Sequence, residues 1–348
     1  MARSLVGLEI TEESVRAVEV STGRTPALLA AGEVPLPRDA ARDSEVIDVG
    51  SVALALRQLW TSAGIKGRKV TLGVGSRRIL VREFTTQAMA PELLRQALPF
   101  QVQDLLPVPA SQAVLDFYPI AQQGDQVSGL LVAAVSETVE QIIATLGKAK
   151  LEVDTVDLVP FGMARIAHRI AQPGETVAMM HLGDHTSHVV VVTDGVPRFV
   201  RIIPVDIATT AARREENAYP AGPESEFEAV LEPAGIGGIT PRTTSTRASI
   251  RSSGASAVSA VNDLVARLRS TVAFFSGREG SSPISEVIVS GAGYAAPGVA
   301  DALARAFDVP VRPLRLDQIA SVGRRELPEE LALNCVATVG VLLGEAGR

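Results

Sequence analysis

The sequence predicts an α/β protein of two related lobes with a smaller unit inserted near the first. Three observations carry that prediction. A strand–turn–strand–turn–strand pattern opens the chain and returns about 170 residues later. Short apolar runs alternate with amphipathic helical segments through most of the remainder. Finally, 348 residues at 46% apolar content exceed what one small core requires.

The first unit begins with a strand from Leu5 to Ile10, a polar turn, and an alternating run from Val15 to Val20. A third run, Ala27 to Pro37, ends in prolines, and a charged loop follows. Residues 49–64 carry apolar positions at helical spacing and stop at Gly64. Arg68 to Gly75 is a further strand with a glycine exit. In the second unit, 176–183, 188–195 and 196–205 repeat the three opening strands. In register, LVGLEITEESVRAVEV lies over VAMMHLGDHTSHVVVV.

Between the copies, 79–86 reads as a strand and 89–107 as a helix, with Pro91 near its start and Pro99 interrupting it. Strands follow at 114–123 and 129–136, separated by a Gly124-Asp125 turn. A helix over 136–151 is expected to open with a capping box at Ser136. This is a β-α-β-β-α insert, and a strand and helix over 153–171 lead back from it. Residues 215–257 are rich in Ser, Thr, Gly and Pro and are expected to form a flexible loop. A helix over 257–277, a strand over 285–290, a glycine turn into a helix over 292–307, a strand over 309–314 and an apolar helix over 331–347 complete the pattern.

Composition narrows function. A formal charge of −6 argues against general nucleic-acid binding. The single cysteine, Cys335, sits in an apolar run and is expected to be a buried thiol, with no disulfide framework or zinc quartet. No stretch reaches the roughly 18 apolar residues of a membrane span, and the N-terminus has no long apolar core of a signal peptide. A cytoplasmic protein that reaches the membrane only through partners is expected. His181, His185 and His188 fall within eight residues, but a strand–turn–strand is expected to scatter their directions, so no metal site is predicted. Arg77, Arg78 and Arg82 are expected to solvate a strand end, with binding of an acidic partner as the alternative.

Several segments together resemble the PilM family of type IV pilus assembly. VGLEITEESVRAVEV is similar to its opening strand pair, and RRILVREF to its next strand. ELLRQALPFQVQDLLPVPASQAVLDFYPI carries the most distinctive helix, proline turn and strand. VDLVPFGMARI and SEVIVSGAGYAAPGVADALARAFDVPVRPL continue the likeness, which spans the chain except 215–257. The resemblance implies an actin-like fold of duplicated ribonuclease H-like lobes with an FtsA/PilM-type inserted subdomain. Lobe 1 is expected over 1–80, 156–176 and 320–348, the insert over 81–155, lobe 2 over 177–214 and 283–319, and a loop and helix over 215–282.

The resemblance also implies an ATP/Mg cleft between two facing turns, with Glu9, Gly183, Thr186, Gly291 and Gly293 as nucleotide-binding residues. The sequence departs from that design. Thr11 replaces a turn glycine, Glu12 and Glu13 bring repelling carboxylates, and His181 replaces an acid. Pro204, Val205 and Asp206 replace a glycine pair, and Ala292 and Tyr294 alter the last glycine run. Weakened nucleotide binding and no catalytic residue are therefore expected.

The implied partner is the cytoplasmic N-terminal tail of a PilN-like inner-membrane protein, in a groove bordered by Phe100, Leu105, Leu106 and Phe117. Other inner-membrane pilus proteins and the motor ATPase are implied too, at the inner face of the cytoplasmic membrane. The alternatives are an FtsA-like cell-division protein, an ATP-dependent kinase of the same superfamily, or the cytoplasmic part of a type II secretion L-type protein, which would be expected to continue into a transmembrane segment. The first would end in an amphipathic helix, whereas this sequence ends in GEAGR; the second needs an intact acid-and-glycine first turn.

Overall fold

The computed structural model describes residues 4–23, 25–43, 45–218, 254–323 and 326–344. The chain opens with β1 (Ser4–Ile10), β2 (Ser14–Ser21) and β3 (Leu28–Pro35), then a small hairpin of β4 (Ala41–Arg42) and β5 (Glu45–Val46). Helix α1 (Val49–Ala63) starts where the Asp48 side chain accepts the Gly50 and Ser51 N–H groups at 2.9 and 3.2 Å. It stops at Gly64, whose φ of 69° is left-handed and suits only glycine without strain. Strand β6 (Lys69–Val74) follows.

The insert comprises β7 (Leu80–Gln87), α2 (Pro91–Gln101), β8 (Ala113–Gln123), β9 (Gln126–Val135) and α3 (Ser136–Lys148). Next come β10 (Glu152–Leu158), α4 (Val159–Ile170), β11 (Thr176–Leu182), β12 (Thr186–Thr193), β13 (Val196–Pro204) and α5 (Thr210–Ala218). The chain continues with α6 (Gly254–Ser276), β14 (Glu286–Ser290), α7 (Val299–Ala306), β15 (Val311–Pro313) and α8 (Glu329–Leu342).

Two five-stranded sheets share one topology. The first runs β3-β2-β1-β6-β10 and the second β13-β12-β11-β14-β15; in each, three antiparallel strands are extended by two parallel ones. The duplication read from the opening strands is therefore a duplication of whole sheets, as in the actin-like fold. Helices α4 and α8 lie between the sheets, and Val18, Met163, Met179, Val190, Cys335, Val336 and Val339 belong to one shared central core. An outer core backs the first sheet with α1 and α3, and another backs the second with α6 and α7. Helix α8 is buried at every position from Ala332 to Leu342, which its two-sided setting demands. No helix among the described residues is long and apolar enough to cross a membrane.

The insert forms a separate sheet, β7-β9-β8, over a small core of Leu98, Val102 and Leu131. Helix α3 attaches it to the first lobe, because Ile142, Leu146 and Ala149 enter that lobe's outer core. Three local expectations need correction. Ser136 is the first residue of α3, Val135 is its cap, and no side chain caps it, so the capping box is not formed. Pro99 does not interrupt α2, which runs on to Gln101: a proline two residues from a helix end disrupts little. The irregular segment expected over 215–257 is entered by α5 to Ala218 and by α6 from Gly254; residues 219–253 lie outside the described residues.

Helices α4 and α8 touch backbone to backbone. A Cβ on Gly340 would lie 2.6 Å from the Gly162 carbonyl oxygen, and one on Gly162 2.7 Å from the Val341 nitrogen. Gly340→Ala is expected to cost about 1–3 kcal/mol by overpacking. Gly147→Ala, where a Cβ meets nothing within 4 Å, should be neutral or gain up to about 1 kcal/mol. Urea unfolding of the two variants checks the contrast; equal effects would show that the helices can move apart freely.

Candidate functional site

Strand parity decides which side chains face the space between the sheets. In β11, Val177 and Met179 join the central core while Ala178, Met180 and Leu182 join the outer one, so His181 points to the centre. In β12, Val190 and Val192 are central, which places His188 on the same face. In the first lobe Val6, Leu8, Ile10, Val15 and Ala17 are outer, leaving Glu9 and Arg16 to face inward. All four are buried, with exposures of 5% for Glu9, 1% for Arg16, 3% for His181 and 5% for His188.

Cross-strand register pairs Glu9 with Arg16 in one lobe and His181 with His188 in the other. Equivalent positions thus hold a carboxyl and a guanidinium in the first lobe and two imidazoles, ring centres 6.1 Å apart, in the second. This corrects the expectation that the three histidines scatter. An antiparallel hairpin returns His188 to the place opposite His181, and only His185, on the turn, points elsewhere.

The turns themselves repeat each other. Thr11 N–H donates to the Ser14 carbonyl at 2.8 Å, as Gly183 N–H does to Thr186 at 3.2 Å. Leu36 N–H donates to Glu13, as Val205 N–H does to His185. They meet across the cleft. His185 Nε2 is bonded to the Glu13 carboxylate, while its Nδ1 is 2.6 Å from Asp206 Oδ1. Arg16 lies 3.9 Å from Asp184, and His188 Nε2 donates to the Gly75 carbonyl at 2.8 Å. A Cβ on Gly75 would come within 2.6 Å of that imidazole, so glycine is needed for the approach. Between the turns remains a cavity of about 40 Å³, lined by Glu9, Thr11, Glu13, Arg16, Gly183, Thr186 and neighbours. That is room for a water or two.

Burial shifts these groups. It raises the Glu9 carboxyl, against the pull of Arg16. At Arg16 burial opposes the charge, and Glu33, Glu9 and Asp184 outweigh it and hold the guanidinium protonated. At His185 burial likewise works against the charge, but the bonds to Asp206 and Glu13 prevail and raise its pKa. Burial pushes His188 down to about 4, and drives His181 well below the ordinary imidazole range with help from His188 and Arg16. Burial also raises the Cys335 thiol, the buried free thiol expected from sequence.

Of the residues expected at a nucleotide, Glu9, Gly183 and Thr186 come together around the cavity. Gly291 and Gly293 instead pack against Leu182, where added Cβ atoms would lie 2.3 and 2.9 Å from its atoms; Gly291 also has φ 88°. Of the residues expected at a peptide groove, Leu105, Leu106 and Phe117 lie half-buried against the insert core, and Phe100 is 86% exposed. A larger cavity of about 390 Å³ separates the insert from the second lobe, with Phe84, Ile120, Arg198, Phe275 and Arg278 among its walls. Arg78 pairs with Glu45 and Arg77 with Asp43. The inward Arg16 and the Glu13–His185 contact were not singled out from sequence, although the register of the two copies sets Glu13 over His185.

The depressed His188 value has a signed consequence. Below pH 6.5 the unfolded chain takes up a proton that the folded imidazole refuses, so stability falls as pH drops toward 4, by about 1.4 kcal/mol per pH unit. His188→Gln keeps a donor for Gly75 and does not titrate. The stability difference between wild type and this variant should shrink by that amount per unit below pH 6.5 in urea titrations. A pH-independent difference would contradict a neutral buried His188.

Sequence and structure comparisons place this architecture. A family model described as type IV pilus assembly protein PilM matches residues 7–202, more than half of the chain. No curated protein matches by sequence. Among solved structures, a PilM–PilN type IV pilus biogenesis complex is similar at 20% identity and TM-score 0.78, over 99% of this chain and 98% of that one. The ethanolamine utilization protein EutJ from Carboxydothermus hydrogenoformans is 11% identical at TM-score 0.49, over 99% and 90%. A Bacteroides thetaiotaomicron protein with an actin-like ATPase fold is 7% identical at TM-score 0.46, over 99% and 96%. With the duplicated sheets and the insert already established, the family match settles the assignment: the chain belongs to the PilM family of type IV pilus assembly proteins.

Proposed function

We propose that this chain is a cytoplasmic scaffold of a type IV pilus or related machine, which holds the N-terminal tail of a PilN-like inner-membrane protein. Through that tail it would sit at the inner face of the membrane and connect to the other inner-membrane pilus proteins and the motor ATPase. One observation on this chain supports the reading most: Phe100 projects from α2 with 86% exposure, while Leu105, Leu106 and Phe117 of the same insert are half-buried against its core. A large aromatic left in water suits an anchor that an apolar peptide would cover. The likeness to a PilM–PilN complex is consistent with it.

The cleft is assigned a structural role, with weak nucleotide binding at most and no turnover. Phosphates need backbone N–H groups and cations turned toward them. Here the turn N–H groups of Thr11 and Gly183 are spent within their own hairpins. Glu13 crosses to His185, and about 40 Å³ is left between the turns. The residues present do not fit a triphosphate in this arrangement.

Fluorescence anisotropy with a labelled peptide of the PilN-like tail tests the scaffold reading. Saturable binding is expected, and Phe100→Glu should weaken it at least about tenfold, or about 1.4 kcal/mol, with an unchanged melting temperature. No binding by the folded chain would sink the partner assignment. Loss of binding in Phe84→Ala with none in Phe100→Glu would move the peptide to the 390 Å³ cavity beside the second lobe.

A further inference from the structure

We propose that Glu12, Glu13 and His185 form a divalent transition-metal site that joins the two hairpin turns across the cleft. One carboxylate oxygen from each glutamate and one imidazole nitrogen lie within 4.8 Å of one another. Glu12 and Glu13 come from the β1–β2 turn and His185 from the β11–β12 turn, so a bound ion would tie lobe to lobe. Tetrahedral bonds of about 2.0–2.1 Å place neighbouring ligand atoms about 3.3 Å apart. The site reaches that spacing if Glu12 draws in and the Glu13–His185 contact opens. Binding replaces the proton shared by Glu13 and His185, which leaves to solvent.

Two features beyond the cluster point to a metal. Asp206 Oδ1 sits 2.6 Å from His185 Nδ1 and fixes Nε2 toward the glutamates. That is the outer-shell arrangement that orients metal-bound imidazoles and raises their basicity. Glu13 is only 3% exposed, and its Oε2 has no hydrogen-bond partner among the described residues. An ion would satisfy it. The adjoining cavity of about 40 Å³ leaves room for a water as fourth ligand. One imidazole with two carboxylates favours zinc or its row neighbours over magnesium and calcium, which want six or more oxygens. This site is distinct from a nucleotide's magnesium, since it needs no phosphate.

The test uses the full chain, treated with chelator, titrated with ZnCl2 at pH 8 against a chromophoric zinc chelator. One zinc per chain with micromolar or tighter affinity is expected, with a zinc-dependent rise in melting temperature that MgCl2 does not give. Glu12→Gln and His185→Gln should each weaken binding at least roughly tenfold. Glu12→Gln keeps the acceptor for the Asp43 N–H, which Glu12 Oε1 now holds at 2.9 Å, and circular dichroism confirms that each variant is folded. Absence of saturable zinc binding by the wild type overturns the proposal. So does wild-type affinity in either folded variant, which would place the ion elsewhere.

Discussion

The structure depends on how polar side chains are accommodated between two sheets that share one core. Strand parity gives no choice: Glu9, Arg16, His181 and His188 must face inward once Val18, Met179 and Val190 do. A buried guanidinium left alone costs several kcal/mol, so Arg16 draws Glu33, Glu9 and Asp184 around it, the last from the other lobe. The second lobe solves the same problem by neutrality, with two imidazoles kept uncharged by burial. The contacts across the cleft follow. His188 reaches Gly75 and His185 reaches Glu13, and the turns close on each other rather than on an open phosphate site.

The insert is a separate matter. Its core is three fully buried residues, too small to stand without support. Support comes from α3 in the first lobe's outer core, from Tyr118 packed on Phe161 of α4 at 5.4 Å, and from Arg278 of the second lobe on Glu83 at 2.5 Å. This unit, held by both lobes, exposes Phe100 and Leu93 to solvent.

Much of this was legible in the sequence. The register of LVGLEITEESVRAVEV over VAMMHLGDHTSHVVVV contains the sheet duplication and the facing turns, because alternation and turn residues are local signals. What was not legible lies where tertiary context wins. The partner of Glu13 depends on how two hairpins dock. The neighbouring histidines show the same limit: spacing suggested scattered directions, but the hairpin register brings His181 opposite His188. The roles of Gly291 and Gly293 follow from Leu182 across the sheet, which no local pattern announces. Ser136 resembles a cap, yet β9 runs directly into α3 and leaves no place for one.

On the proposed reading, the chain's own charges, above all Glu13 with His185, occupy the place that phosphates would take. Isothermal titration of the full chain with Mg-ATP tests it most directly. Weak binding or none, without phosphate release, is the result this account predicts. Submicromolar binding with turnover would contradict it, because a triphosphate held that tightly must displace the Glu13–His185 contact and open the cleft.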